Sequence, residues 1–382
     1  MAKIAFVTFG LGLGGTDRVC CHLARGFHEA GDDVTVLACT GKGKGQAILD
    51  AVIADGPSFV ELAGVAWKNR QVQKAHALIG YVRWLRAERP DFVVATGNNI
   101  CRFTALGFRL ARIRSDSRLI IKITNPVIRP RRKLSERIRR HSLARAFEDA
   151  AAVLTLSREE ARILACAFPR AAGRFHHVYN PYLTDAFDHA SSDIERCERP
   201  KSTGNDNKTV MLAVGRLHHQ KNFPRMLHAF ATLIHAGQSD LLLKIVGDGP
   251  DRQQIADLID KLGLTEHVQM LGYSSDIPKS MAAADVLLLS SDYEGLPAVV
   301  IEALACDCPV ISTDCFPAAK SLLQGIPHCR VADKDVASLA AAMKTWLDMP
   351  RGRPKLREHA LRYSTANAVE SHRSAMFGAR RP

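Results

Sequence analysis

The segment from Asp285 to Thr313 constrains the fold most, because it holds a complete strand, loop, helix and strand. It reads DVLLLSSDYEGLPAVVIEALACDCPVIST, and its apolar runs VLLL and PVI predict two strands of a parallel sheet. Pro297 predicts the start of the helix between them. Glu294 lies in the loop after the first strand, and Glu302 lies inside the helix. Because ligands of open parallel sheets bind at the carboxyl ends of strands, both carboxylates can face one crevice, or they can be solvated surface groups.

A glycine-rich turn, GLGLGGT, follows the first predicted strand near the N-terminus. A helical pattern and a second strand come next, so the turn belongs to a βαβ unit whose backbone amides and helix N-terminus can hold an anion. Gly10, Gly12 and Gly15 match the fingerprint of NAD-binding proteins, which makes an NAD-dependent oxidoreductase one alternative. That fingerprint expects an acidic residue after the second strand, but this strand ends in ACT. A tight turn that uses glycine only for its backbone freedom is a further alternative.

Two cations flank a turn in the second half of the chain. The strand predicted from Thr209 to Val214 is followed by GRLHHQKN, which places Arg216 and Lys221 on opposite sides of the turn. The planar fork of an arginine and the point charge of a lysine can converge there on a pyrophosphate. Two later predicted strands also end in glycine turns, VGDGP and GYS.

These motifs, in this order, resemble the retaining family-4 glycosyltransferases of group 1. EGLP with EAL resembles the paired-glutamate motif of that family, and GRLHHQKN resembles its second-domain signature. The resemblance implies the GT-B architecture, an α/β fold with two Rossmann-like domains that face each other across a cleft and a C-terminal helix that crosses back to the first domain. We expect an N-terminal domain at 1–182, completed by about 360–382, a linker at 183–208 and a nucleotide-sugar domain at 209–359.

The resemblance also implies a role for individual residues. Arg216 and Lys221 are expected to neutralise the leaving diphosphate, and Glu294 to face the donor sugar as the third catalytic residue. The expected donor-binding residues are Gly14, Gly15, Gly247, Gly249, Tyr273, Gly295, Leu296 and Glu302, the last of these at the ribose hydroxyls. Tyr273 can equally be a packing residue.

Relatives carry a histidine in the first domain that contacts the donor sugar or the acceptor. In this sequence Asn125, or alternatively Asn98, occupies the corresponding place after a predicted strand. We expect no metal ion and no cofactor, since the nucleotide sugar, UDP- or GDP-linked, is a substrate. The isolated pairs of histidines lack a carboxylate or cysteine at ligand spacing.

The expected reaction is transfer of a hexosyl unit, with retention of configuration, to a lipid-linked acceptor or a cell-surface polysaccharide or lipopolysaccharide. Besides the oxidoreductase, a basic nucleic-acid or membrane-binding module of degenerate fold remains an alternative. The 52 basic and 39 acidic residues give a net charge of +13, which indicates an anionic partner.

The stretch from Arg129 to Arg145 is strongly basic, with apolar residues roughly on one helical stripe. It predicts either a helix that binds anionic lipid head groups or a solvated surface helix. Nucleic acid is not expected as a partner, because the stretch has no interleaved aromatic residues. The sequence has no pattern of a signal peptide or a transmembrane span, so we expect a cytoplasmic protein that can lie peripherally at the inner face of the cell membrane. The ten cysteines show no CxxC pair and predict reduced thiols.

Overall fold

The computed structural model describes residues 1–12, 14–40, 56–63, 70–113, 117–128, 134–184, 187, 208–350, 352 and 354–379. The chain forms two compact units. The first unit is Met1–Pro181 together with Tyr363–Pro382, and the second is Tyr182–Arg362.

The first unit is built on a parallel sheet, which has seven strands in the part of the chain that the structure describes. The order across this sheet is β3-β2-β1-β4-β5-β6-β7. The strands are β1 (Lys3–Thr8), β2 (Asp33–Ala38), β3 (Ser58–Glu61), β4 (Phe92–Ala95), β5 (Arg118–Lys122), β6 (Ala152–Thr155) and β7 (Phe175–His177). The helices are α1 (Gly15–Glu29), α2 (Arg70–Glu88), α3 (Cys101–Ala111), α4 (Leu134–Asp149) and α5 (Arg158–Ala167).

The central strands of this sheet are mainly apolar, as expected for parallel strands that are covered on both faces. β4 and β6 are buried at every position, and β1 at every position after Lys3. Ser157 caps α5 by accepting a hydrogen bond from the Glu160 amide at 3.0 Å, as its place before the helical pattern predicts.

The last helix belongs to the first unit, as the GT-B expectation requires. This helix, α12 (Thr365–Phe377), packs against α1. The buried carboxylate of Asp32 accepts a hydrogen bond from the Ala2 amide at 2.9 Å and pairs with Arg373 of α12. Nζ of Lys122 lies 2.8 Å from Nε2 of His372, and both side chains are fully buried. The predicted crossing helix is therefore confirmed.

The second unit has a parallel sheet of six strands among its described residues, in the order β10-β9-β8-β11-β12-β13. The strands are β8 (Thr209–Val214), β9 (Leu241–Val246), β10 (Val268–Gly272), β11 (Val286–Leu289), β12 (Val310–Thr313) and β13 (Arg330–Ala332). The helices are α6 (Phe223–His235), α7 (Arg252–Lys261), α8 (Ile277–Ala283), α9 (Ala298–Ala305), α10 (Ala319–Leu323) and α11 (Val336–Leu347). Two Rossmann-like α/β units confirm the predicted fold class.

Some boundaries differ from the predicted ones. Most of the expected linker at 183–208 lies outside the described residues, and the two units divide between Pro181 and Tyr182. Residues 129–133 of the basic stretch also lie outside the described residues, and α4 begins at Leu134.

Candidate functional site

Lys221 and Glu294 form an ion pair at the carboxyl edge of the second sheet. Nζ of Lys221 lies 2.9 Å from Oε1 of Glu294, and the side chains are 19% and 11% exposed. The same carboxylate oxygen accepts a hydrogen bond from the Ser291 hydroxyl at 2.9 Å, and the Glu294 amide donates to the carbonyl of Cys315 at 2.7 Å. The loops that follow β8, β11 and β12 thus meet around one buried carboxylate.

A second set of hydrogen bonds holds the lysine turn against the acidic loop. The Ser290 hydroxyl lies 2.9 Å from the carbonyl oxygens of both Lys221 and Asn222. Oδ1 of Asp292 accepts from the Asn222 amide group at 2.9 Å and from the Arg225 guanidinium at 2.8 Å. These contacts fix the backbone on both sides of the ion pair. Sequence reasoning missed Ser291, Asp292 and Arg225, although the pair of serines directly after an apolar strand was a usable signal.

Gly247 and Gly249 allow two loops of the second unit to touch. A Cβ atom on Gly247 would lie 1.9 Å from the carbonyl oxygen of Gly215, and one on Gly249 would lie 2.2 Å from that of Leu217. The φ angle of Gly247 is +145°, which side chains rarely adopt. These glycines therefore pack the turn that carries Arg216. The Arg216 side chain is exposed and makes no ion pair with any residue that the structure describes.

The remaining predicted residues of the second unit lie at its strand ends or in α9. Gly295 and Leu296 are buried, and the Leu296 carbonyl accepts a hydrogen bond from the Tyr182 hydroxyl at 2.7 Å. Glu302 lies inside α9 and is 7% exposed, so it is not a solvated surface group. Tyr273 directly follows β10 and is 74% exposed, so the alternative that it is a core packing residue is wrong.

The glycine-rich turn of the first unit leads directly into α1. Gly14 precedes the helix in an extended conformation, and a Cβ atom on Gly15 would meet no atom within 4 Å. The Gly12 amide donates to Oδ2 of Asp17 at 2.9 Å. Burial raises the pKa of the Asp17 carboxyl, while this hydrogen bond acts in the opposite direction. The turn therefore leads to a helix N-terminus with open space around Gly15, while the Gly12 amide is already bonded to Asp17.

Asn98 joins the loops that follow β4 and β5. Its Oδ1 accepts from the Thr124 amide at 2.8 Å, and its Nδ2 donates to the carbonyl of Asn125 at 2.6 Å. A Cβ atom on Gly97 would lie 3.1 Å from Cγ2 of Thr16, so the first turn of α1 lies beside the loop that carries Asn98. The structure thus brings Asn98 and Asn125 together, with the Asn98 side chain holding the backbone of its neighbour.

The described residues contain neither a group of metal ligands nor a membrane-spanning helix. Among them, no three histidine, cysteine or acidic side chains are grouped so that they could hold a metal ion. No described helix combines the length and the apolar character needed to span a bilayer. Nine cysteines are described, all of them free thiols and all but Cys166 buried.

Two parallel α/β units with glycine turns at strand ends, the second of which also carries cations and buried carboxylates there, define a two-domain Rossmann-like protein. The chain belongs to the group 1 glycosyltransferases with GT-B architecture. Residues 195–365 match the family described as glycosyl transferases group 1, and residues 14–181 match the glycosyl transferase 4-like domain.

Individual proteins resemble the chain in part of its sequence or in its fold. The 2-deoxystreptamine glucosyltransferase of Streptomyces kanamyceticus is 30% identical over 54% of this chain and 53% of its own length. A Campylobacter jejuni protein, N-acetylgalactosamine-N,N'-diacetylbacillosaminyl-diphospho-undecaprenol 4-alpha-N-acetylgalactosaminyltransferase, is 38% identical over 29% of this chain and 30% of its own length. These alignments cover about half or less of each relative. The crystal structure of Anabaena Alr3699/HepE in complex with UDP covers 99% of this chain and 97% of that chain, with a TM-score of 0.70 and 18% identity, which shows the shared fold.

Proposed function

We propose that this protein transfers a hexosyl unit from a nucleotide sugar, UDP- or GDP-linked, to a lipid-linked or lipopolysaccharide-type acceptor with retention of configuration. The observation that carries the proposal is the ion pair between Lys221 and Glu294, 2.9 Å apart at the carboxyl edge of the second sheet. Arg216, on the same turn, supports it, because its side chain is exposed and makes no ion pair with the described residues, which leaves it available to a ligand.

The proposed chemistry uses the charge that develops on the leaving group. As the bond between the anomeric carbon and the phosphate oxygen breaks, negative charge grows on the nucleoside diphosphate. Fixed cations aimed at that charge stabilise the transition state more than the ground state. The ammonium group of Lys221 has three donors, so it can contact a phosphate oxygen while it keeps its bond to Glu294.

Glu294 is proposed to bind the donor sugar. Its carboxylate oxygens can accept hydrogen bonds from sugar hydroxyls, and the Ser291 hydroxyl fixes its orientation. In the proposed reaction the acceptor hydroxyl attacks the face that the diphosphate leaves, its oxygen forms the new glycosidic bond, and its proton passes to the departing phosphate oxygen. This route retains the configuration and requires no covalent enzyme intermediate. It therefore differs from the two-carboxylate route of glycoside hydrolases.

Donor and acceptor classes are inferred from the relatives. The Anabaena protein was crystallised with UDP, and the name of the Campylobacter relative includes a diphospho-undecaprenol acceptor. We extend both to this chain as a proposal, together with a cytoplasmic location at the inner face of the membrane. The described part of the basic stretch fits that location, since Arg140, His141 and Arg145 are exposed on α4.

The test combines ligand binding with transfer. UDP, GDP and their hexose conjugates are compared with NADH by thermal shift, since a ligand that binds only the native state raises the melting temperature. Stabilisation by one nucleoside diphosphate and its sugars is expected. A rise in melting temperature with NADH alone would favour an NAD-dependent oxidoreductase. Binding of a nucleic-acid duplex, with no rise for any nucleotide, would favour a basic nucleic-acid-binding module.

Three variants test the site directly. Lys221→Ala is expected to lower kcat by about 10²–10³-fold, as for removal of one group that stabilises transition-state charge. Glu294→Gln is expected to lower transfer as well. Lys344→Ala is the matched control, because Lys344 also forms an ion pair, with Asp348 at 2.7 Å, but on the surface of α11. Full transfer activity in both site variants would show that the assignment is wrong.

A further inference from the structure

A partly open cavity of about 390 Å³ lies on the first unit, lined by residues of α2, α3 and α4. Phe9 and Asn99 belong to its lining. Phe9 directly follows β1, and Asn99 lies in the loop after β4, next to Asn98. The cavity therefore begins at the carboxyl edge of the first sheet, beside the loops that Asn98 holds together, and extends outward between the helices.

The cavity carries an excess of positive charge. Lys74, Arg102, Arg109 and Arg145 line it, and no carboxylate is found among its described lining residues. Arg109 is neutralised by Asp149, 2.5 Å away. Arg102 and Arg145 are exposed and make no ion pair with the residues that the structure describes. Arg102 of α3 and Arg145 of α4 thus bring two exposed guanidinium groups to the same cavity.

Beside these cations, part of the lining is apolar, and Asn99, His141 and Ser142 are its other polar members. Phe103 and Leu106 of α3 contribute to the apolar part, and Leu106 is 43% exposed. The ammonium group of Lys74 lies 5.5 Å from the centre of the Phe9 ring. A concave site that joins guanidinium forks to an apolar surface fits a phosphate attached to a hydrophobic group, because arginine pairs with phosphate oxygens in a bidentate way. A flat membrane surface would not need a concave site.

We propose that this cavity binds the phosphate of the acceptor, so that the acceptor is a phosphorylated amphiphile. Its phosphate lies between Arg102 and Arg145, and its apolar part lies against Phe103 and Leu106. The inference rests on the proposed transferase function, and it adds the site at which the phosphate of that acceptor is bound.

The experiment measures binding to the full chain by titration calorimetry. Farnesyl diphosphate is the probe, with inorganic pyrophosphate and farnesol as its polar and apolar parts and phosphatidylglycerol vesicles as the membrane arm. The variant is Arg102→Ala/Arg145→Ala. The matched control is Arg158→Ala/Arg162→Ala, which removes two exposed arginines of the same unit outside the cavity. We expect farnesyl diphosphate to bind about 100-fold more weakly to the cavity variant, about tenfold for each lost charged hydrogen-bond donor, and unchanged to the control.

Several results would overturn the inference. Equal affinity for farnesol and farnesyl diphosphate would show that the phosphate is not recognised. Equal losses in both double variants, or binding to vesicles alone, would indicate a general effect of surface charge. The thermal shift with nucleoside diphosphates keeps the two proposals apart. If the cavity variant no longer binds farnesyl diphosphate but is still stabilised by a nucleoside diphosphate, both proposals are supported. If no nucleoside diphosphate stabilises the wild type, the proposed transferase function is refuted. In that case the calorimetric comparison still decides whether the cavity binds a phosphorylated amphiphile.

Discussion

The buried pair of Lys122 and His372 predicts that the first unit becomes more stable as the pH rises from 7 to 9. Lys122 is 1% exposed, and its Nζ lies 2.8 Å from Nε2 of His372. Nδ1 of His372 lies 2.7 Å from the Ala368 carbonyl and donates to it, which leaves Nε2 as the acceptor of a lysine hydrogen. Burial lowers the pKa of Lys122 to about 7 and lowers that of His372 well below its ordinary value.

The sign follows from proton binding in the two states. Between pH 7 and 10.5 the unfolded chain keeps the Lys122 proton and the folded chain releases it, so raising the pH favours folding. Below pH 7 both states are protonated, and this group adds no further pH dependence. From pH 7 to pH 9 the linkage amounts to about 2 kcal/mol, equivalent to roughly 4–8 °C in the melting temperature of a domain of this size.

Calorimetric melting of the wild type and of Lys122→Met at pH 7, 8 and 9 measures the contribution of Lys122 to the pH dependence of stability. The contributions of the other titrating groups cancel in the difference between the two proteins. Methionine fills a similar volume without a titratable amine. The stability of the wild type relative to the variant is expected to rise steadily over this range. Lys3→Met, which removes a lysine on the surface of the same unit, should follow the wild type. A constant difference between wild type and Lys122→Met would refute the reasoning.

Two further predictions concern the first unit. Gly15→Ala is expected to fold normally, because its Cβ would meet no atom within 4 Å, but to bind a nucleoside diphosphate about tenfold more weakly if the diphosphate approaches this backbone. Gly173→Ala is the control, because a Cβ there also meets no atom within 4 Å. Equal affinity of the two variants for the nucleoside diphosphate would contradict the role of the turn. Burial raises the pKa of Glu160 to about 7, and its Oε1 has no hydrogen-bond partner among the described residues. The folded state therefore binds the Glu160 proton more tightly, and this stabilisation is lost as the pH rises from 4.5 to 7. Glu160→Gln should match the wild type at pH 4 and exceed it by about 3 kcal/mol at pH 8, measured by urea unfolding, and a difference independent of pH would exclude this account.

The bounds of strands were predicted best where the strand is a continuous apolar run. β8 was predicted with its observed bounds, since a buried parallel strand is a continuous apolar run between turn residues. Helix starts were less accurate. The apolar pattern from Ala75 to Ala87 predicts a helix, but α2 begins earlier, at Arg70, because polar residues with good helix propensity extend a helix that the core has already fixed.

Only part of the site could be predicted. Arg216, Lys221 and Glu294 follow strands, where a motif can identify them, but their roles remain predictions. The contact of Arg225 with Asp292 joins residues 67 positions apart and depends on the order of strands, which no local pattern contains. The cavity of the first unit is even harder to predict from the sequence, because its lining residues extend from Phe9 to Ala146 and come together only when three helices pack.

The crossing of α12 sets the order in which the chain can mature on the ribosome. The second unit, Tyr182–Arg362, is contiguous and can fold as soon as it has left the exit tunnel. The first unit is synthesised earlier but completes later, because Asp32 and Lys122 have to wait for Arg373 and His372. Until then the first unit lacks the helix that packs against α1 and supplies the partners of Asp32 and Lys122.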